Sequence, residues 1–111
     1  MLVCAMKQKT YEALIVNVVD GDTIDVSINL GFDIAIKIRI RLADINTYEL
    51  KDKDPEKKKL AQEAKEFISE YLWKPVTIVI KGKDCYGRYI CEVDNLSQLL
   101  LEKGLAQPMT Y

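Results

Sequence analysis

Three short segments, far apart in the chain, carry side chains that hydrolysis of a phosphodiester would need. They are Asp20-Gly21-Asp22-Thr23, then Arg41-Leu42-Ala43-Asp44-Ile45-Asn46-Thr47-Tyr48-Glu49, then Asp84-Cys85-Tyr86-Gly87-Arg88. The first two hold oxygen donors of the kind a hard cation such as Ca²⁺ takes. The last two hold two guanidinium groups, whose planar forks match phosphate oxygens. The chain contains no histidine. Imidazole therefore cannot serve as base, nucleophile partner or metal ligand, which excludes histidine-dependent ribonuclease and HNH-type chemistry. Acid–base work is left to carboxylates, metal-bound water, lysine or tyrosine.

Each segment also has a plainer reading. Asp20-Gly21 is a common hairpin turn. Asp22 then opens a strand, where a carboxylate is unusual unless exposed or liganded, so turn and metal site stand level. Asp25 alternates outward with Ser27 and reads as surface. Arg41 points the same way as Lys37 and Arg39, as a row of cations guarding a strand edge would. An oxygen-rich loop of Asp44, Asn46, Thr47 and Glu49 just beyond it makes the arrangement more specific. Tyr86-Gly87-Arg88 reads as a β-turn with glycine at positive φ.

The elements that must position these side chains are legible from periodicity. Tyr11–Val19 is strand-like. Ile24, Val26, Ile28 and Leu30 alternate with polar residues, as do Ile36, Ile38, Ile40 and Leu42, with Gly31-Phe32-Asp33 as the turn between. In the second run the aliphatics are expected inward and the cations outward. Asp54 as N-cap and Pro55 at the first position open a helix with Leu60, Ala64, Phe67, Ile68, Tyr71 and Leu72 on one face, stopped by Pro75. Val76–Ile80 and Tyr89–Val93 are two more strands. Asn95 with Gln98 resembles a capping box for a short helix that Gly104 ends. Three strands, a helix, two strands and a helix is the order of a five-stranded OB-fold β-barrel, a mainly β, α+β architecture.

Residues 1–111 are expected to form a single domain. The net charge of −1 gives no bulk attraction for nucleic acid, so phosphate binding must be local. Lys51, Lys53 and the Lys57–Lys59 triplet read as a solvated face. Three cysteines, Cys4, Cys85 and Cys91, without CxxC spacing fit reduced thiols rather than a disulfide framework or zinc site. The first residues lack the pattern of a signal peptide, and no apolar run is long enough for a membrane span. A cytoplasmic monomer without membrane contact is the expectation.

Together with Gly104-Leu105-Ala106, these landmarks resemble the staphylococcal nuclease (thermonuclease) family, in order and from about Tyr11 to Ala106. The resemblance implies a calcium-dependent endonuclease acting on single-stranded DNA and RNA. It implies that Asp22, Asn46 and the carbonyl of Thr47 ligate Ca²⁺, with Asp20 supporting the site from behind. Glu49 would handle the attacking water. Arg41 and Arg88 would bind the phosphate and stabilise its transition state. Tyr86 and Lys83 would contact substrate. The chain departs from the family in having Asn46 for an aspartate, Tyr48 for a proline and Cys85 for a lysine. It also ends before the family's third helix.

Two alternatives accompany this reading. Arg39 with Asp44 gives the same spacing as Arg41 with Asn46, but puts Thr47 at the glutamate position and leaves Glu49 unused. The Arg41–Asn46–Glu49 register is therefore preferred. The second alternative concerns function: a catalytically weak or inactive OB-fold module that binds nucleic acid or protein.

Overall fold

A computed structural model describes residues 9–109. Residues 1–8, which include Cys4, and residues 110–111 fall outside the described residues. The elements are β1 (Lys9–Asp20), β2 (Thr23–Gly31), β3 (Ile34–Leu42), β4 (Ile45–Thr47), α1 (Pro55–Ser69), β5 (Pro75–Lys83), β6 (Tyr89–Val93), α2 (Leu96–Glu102) and β7 (Ala106–Pro108). Five of the strands close a barrel in the order β1-β2-β3-β6-β5, with β5 returning to β1. All its pairings are antiparallel except β3 with β6, where Arg41 lies opposite Ile90. This is the OB-fold arrangement that the order of elements implies. Ile15, Ile24, Val26, Ile40, Leu42, Ile78, Cys91 and Val93 fill the interior. Closure also removes the free sheet edges that an open sheet of these strands would expose.

Helix α1 begins as its sequence dictates. The Asp54 carboxylate accepts the Glu56 amide, and Pro55 occupies the first turn. It buries Ala61, Ala64 and Ile68. It ends at Ser69, short of the Tyr71 and Leu72 that its apolar spacing includes. Those two residues pack on the core from a turn in which Trp73 takes φ 63° and its amide donates to Ile15 O. Helix α2 ends on Gly104 at φ 71°, with Leu105 N bonding to Leu100 O and Gly104 N to Leu101 O. These two bonds make a Schellman cap. Its start differs from expectation: the Asn95 side chain makes no cap bond, and Gln98 donates to Glu102 instead.

Three further expectations change. The β2–β3 hairpin extends beyond the barrel, so Leu30 and Ile36 are exposed although their spacing puts them on the inner face. Asp25 is covered rather than a free surface charge. Arg39 Nε donates to it at 2.8 Å and Asn17 at 3.1 Å, which holds its carboxyl below the usual range. The segment after β3 is not all loop: Ile45–Thr47 pairs with Ala106–Pro108 as a second, two-stranded sheet. Three-residue strands carry no measurable period, so neither was visible in the sequence.

The Asp20-Gly21 turn is real, yet Gly21 is required for a different reason than backbone sign. A Cβ there would stand 2.6 Å from the Cβ of Ala64 and 3.0 Å from Cγ2 of Thr47. The glycine lets α1 and β4 close onto the β1–β2 turn. Gly21→Ala is therefore expected to cost about 1–3 kcal/mol by overpacking. Urea unfolding measures it, and an unchanged midpoint would refute the close-packing account.

Candidate active site

The three segments meet at one end of the barrel, in a cleft of about 170 Å³. Asp20, Asp22, Thr23, Arg41, Asn46, Thr47, Tyr48, Glu49 and Arg88 line it. Strand pairing explains the convergence. Thr23 lies opposite Arg41, which brings the β1–β2 turn to the end of β3. The β5–β6 turn adds Arg88.

Asp22 is the hub. Its carboxylate accepts Arg41 Nη1 at 3.0 Å, the Thr47 amide at 3.2 Å and the Thr23 hydroxyl at 3.2 Å. Burial pushes its acidity towards the neutral form. The Asp20 contact, the Arg41 charge and these donors outweigh burial and hold it below the usual carboxylate range.

Arg41 does not stand in an exposed row with Lys37 and Arg39. It shares their face by alternation, but residues 43–47 and Met109 fold over it and leave it 8% exposed. Its Nη2 donates to Ile45 O at 3.2 Å and to Asn46 Oδ1 at 3.0 Å, and lies 3.3 Å from Met109 Sδ. One guanidinium thus links the Asp22 turn to the Asn46 strand.

Asp20 behaves in the opposite way to Asp22. Burial, then its contact with Asp22 and the Asp22 charge, push its pKa up to about 6. Its Oδ1 is buried and has no partner among the described residues. A carboxyl raised in this way holds a proton that the unfolded chain loses near 3.8, so its contribution to stability falls as pH rises from about 4 to 6. The Asp22 contribution is lost only lower, as pH falls below the ordinary carboxylate range. In chelator, Asp20→Asn should therefore become more stabilising relative to the parent between pH 4 and pH 7. Urea titrations at the two pH values check this, and a pH-independent difference would contradict it.

Arg88 is set by a residue to which sequence reasoning gave no role. Asp84 Oδ2 accepts Arg88 Nε at 2.7 Å, while its Oδ1 accepts the amides of Tyr86 and Arg88, both at 2.9 Å. Partial burial pushes the Asp84 carboxyl up, but these bonds outweigh it and hold it down. The aspartate four residues before an arginine in a Gly turn was the available signal, an Asx-type turn. Gly87 takes φ 82°, as a turn glycine should.

The remaining candidates are placed as follows. Glu49 is exposed at the rim of the cleft. Tyr86 is 82% exposed, with the Arg88 guanidinium 5.9 Å from its ring centre. Lys83 lies over the Tyr89 ring at 4.7 Å. Neither Tyr86 nor Lys83 lines the cleft, and neither do Arg39 or Asp44. Asp44 forms the corner between β3 and β4 at φ 66°, and Arg39 is paired with Asp25.

The donor set suits a hard cation. It consists of oxygen only, from two carboxylates, the Asn46 amide and Thr47, and the partnerless Asp20 Oδ1 is an atom a cation would satisfy. Among the described residues no group of three or more histidine, cysteine or acidic side chains is arranged to hold a metal ion by itself. A cation here would therefore be shared with water or with a substrate oxygen.

Residues 39–111 match the family described as staphylococcal nuclease homologue. The chain belongs to the staphylococcal nuclease family. No curated protein matches it. The match begins at β3 and takes in Arg41, Asn46, Glu49 and Arg88. The closed barrel with two helices agrees with that family's OB-fold. The staphylococcal nuclease family is one of nucleases and nucleic-acid-binding domains.

Proposed function

We propose that this staphylococcal nuclease homologue is a calcium-dependent endonuclease that hydrolyses phosphodiester bonds in single-stranded DNA and RNA. One observation carries the reading: two arginines, two aspartates, an asparagine and a glutamate from three distant segments line a single cleft. Family membership supports it. Asp22, Asn46 and Thr47 would hold the cation, with Asp20 beside them. When bound, Ca²⁺ supplies positive charge that neutralises the phosphodiester and favours hydroxide over water.

The chain's own groups do the rest. Arg88, pinned at Nε by Asp84, presents its terminal nitrogens to the phosphoryl oxygens. Arg41 adds a second guanidinium beneath them, where charge develops as the bond to the leaving oxygen breaks. Glu49 at the rim accepts a proton from the attacking water. Nothing in the sequence could supply imidazole for that step. A cleft of this size admits one phosphate group at a time and favours strands that can bend into it.

Denatured DNA incubated with millimolar Ca²⁺, and in parallel with excess chelator, tests the reading. Cleavage that depends on Ca²⁺ is expected. Full activity in chelator, or none at any Ca²⁺ concentration, would overturn it. Binding of the strand without cleavage would favour the module reading, for which the closure of Arg41 onto Asp22 and Asn46 is the specific support.

The ligand assignment has its own test. Asn46→Asp places a charged oxygen of nearly the same shape in the cation's shell, and Ca²⁺ affinity follows ligand charge. Calorimetric titration should show binding about tenfold tighter, or ~1.4 kcal/mol. Equal or weaker binding would mean that Asn46 is not a ligand.

A further inference from the structure

The segment after α2 reaches back over the cleft and touches it at three points. Strand β7 pairs with β4, setting Gln107 opposite Asn46 and Ala106 opposite Thr47. The Met109 amide donates to Asp44 O at 3.0 Å, and its sulfur lies 3.3 Å from Arg41 Nη2. Between these contacts, Gln107 Nε2 donates to Tyr48 Oη at 2.8 Å. Tyr48 is the first residue past β4, and Glu49 follows it immediately. From Tyr48 to Asp54 the backbone belongs to neither strand nor helix. Its described internal backbone bond is Asp52 N to Glu49 O at 3.1 Å. The direction of Glu49 therefore depends on how the chain leaves β4, and the Tyr48 hydroxyl ties this exit to β7.

We propose that Gln107, acting through Tyr48, is a positioning residue for Glu49 at the cleft. The inference rests on the proposed nuclease reading for its catalytic meaning, but not for its structural content. The bond joins exposed side chains, so its net worth to global stability is small. Its effect falls on the local population of the aimed loop. A catalytic carboxylate must be held close to its working geometry, and a loop free to swing spends only part of its time there. Loss of Gln107 lowers the working fraction without removing a group that lines the cleft. The step that uses Glu49 slows, while the arginines still hold the phosphate.

The experiment is a double-mutant cycle with Gln107→Ala, Tyr48→Phe and the pair, each measured in the full chain. For Ca²⁺-dependent cleavage of a denatured oligonucleotide, each single variant should lose roughly threefold to tenfold in kcat, the scale of one hydrogen bond. KM should be unchanged, and the double variant should lose no more than either single one. Urea midpoints should stay near that of the parent. Losses that multiply, a change confined to KM, or no loss would overturn the proposal. Amide hydrogen exchange on the same variants, read without substrate or metal at Asp52, whose amide donates to Glu49 O, requires no activity. Exchange there should quicken by a similar factor in each single variant while the barrel core stays protected. If the parent proves inactive, the nuclease reading fails and this measurement still decides the positioning claim. Unchanged exchange at Asp52 would refute it.

Discussion

Arg88→Ala is expected to slow phosphodiester cleavage by on the order of 10³, equivalent to about 4 kcal/mol of transition-state stabilisation, while the fold persists. The reasons for both halves are local. The side chain sits on a turn, a third exposed, and its ion pair with Asp84 spans only four residues. Removing such a partly exposed pair costs at most about 1 kcal/mol of stability. Asp84 takes only its Nε, its terminal nitrogens make no hydrogen bond among the described residues, and Arg88 lines the cleft, so its loss falls on the phosphate. Arg88→Lys should recover little, since a single ammonium cannot reproduce the fork. The decisive data are kcat for the three forms beside their urea curves. A loss under tenfold in the alanine variant would remove Arg88 from the mechanism.

Arg41→Ala should be worse in two ways at once. The guanidinium is buried and binds Asp22, Ile45 and Asn46. Its removal leaves the Asp22 carboxylate buried without its cation, which costs about 3–5 kcal/mol in other buried pairs. Activity should fall by 10³ or more on top of this. Surface spacing alone points to a variant that is inactive yet stable; the burial of Arg41 makes the two losses inseparable in that variant. Arg41→Lys separates them in part. It restores charge beside Asp22 and hence some stability, but cannot reach three acceptors together. A fully stable Arg41→Ala protein would show that the buried pair contributes nothing to the fold. By contrast, Arg39→Ala, which breaks only the outer pair with Asp25, should leave the rate nearly unchanged.

The contrast between the two arginines shows what the sequence could and could not reveal. Alternation from Ile34 to Leu42 assigns each residue a face correctly. It says nothing about what lies over that face, and Arg41 is covered by segments 43–47 and 106–109. Barrel order, the Asp54–Pro55 helix start and the Gly104 stop were legible because each is a local signal of period or cap. Three features were not. The need for Gly21 arises from Ala64, more than forty residues away. Strands β4 and β7 are too short to show a period. The hold of Asp84 on Arg88 was hidden because a turn aspartate has many commoner uses. The cleft residues themselves were found by motif order, and Asp20, Asp22, Arg41, Asn46, Thr47, Glu49 and Arg88 do stand together.

The pairing of β4 with β7 also sets a time at which the cleft can exist. Proteins are made from the N-terminus at roughly 5–20 residues per second. By the time residue 49 has emerged, the growing chain already carries Asp22, Arg41, Asn46 and Glu49, yet it has neither Arg88 nor the strand that covers Arg41. Barrel closure awaits β6, which must slot between β3 and β5. The lid over Arg41 waits longer still, for residues 106–109. A nascent chain of this protein thus carries most of the cleft's residues before it has the cleft.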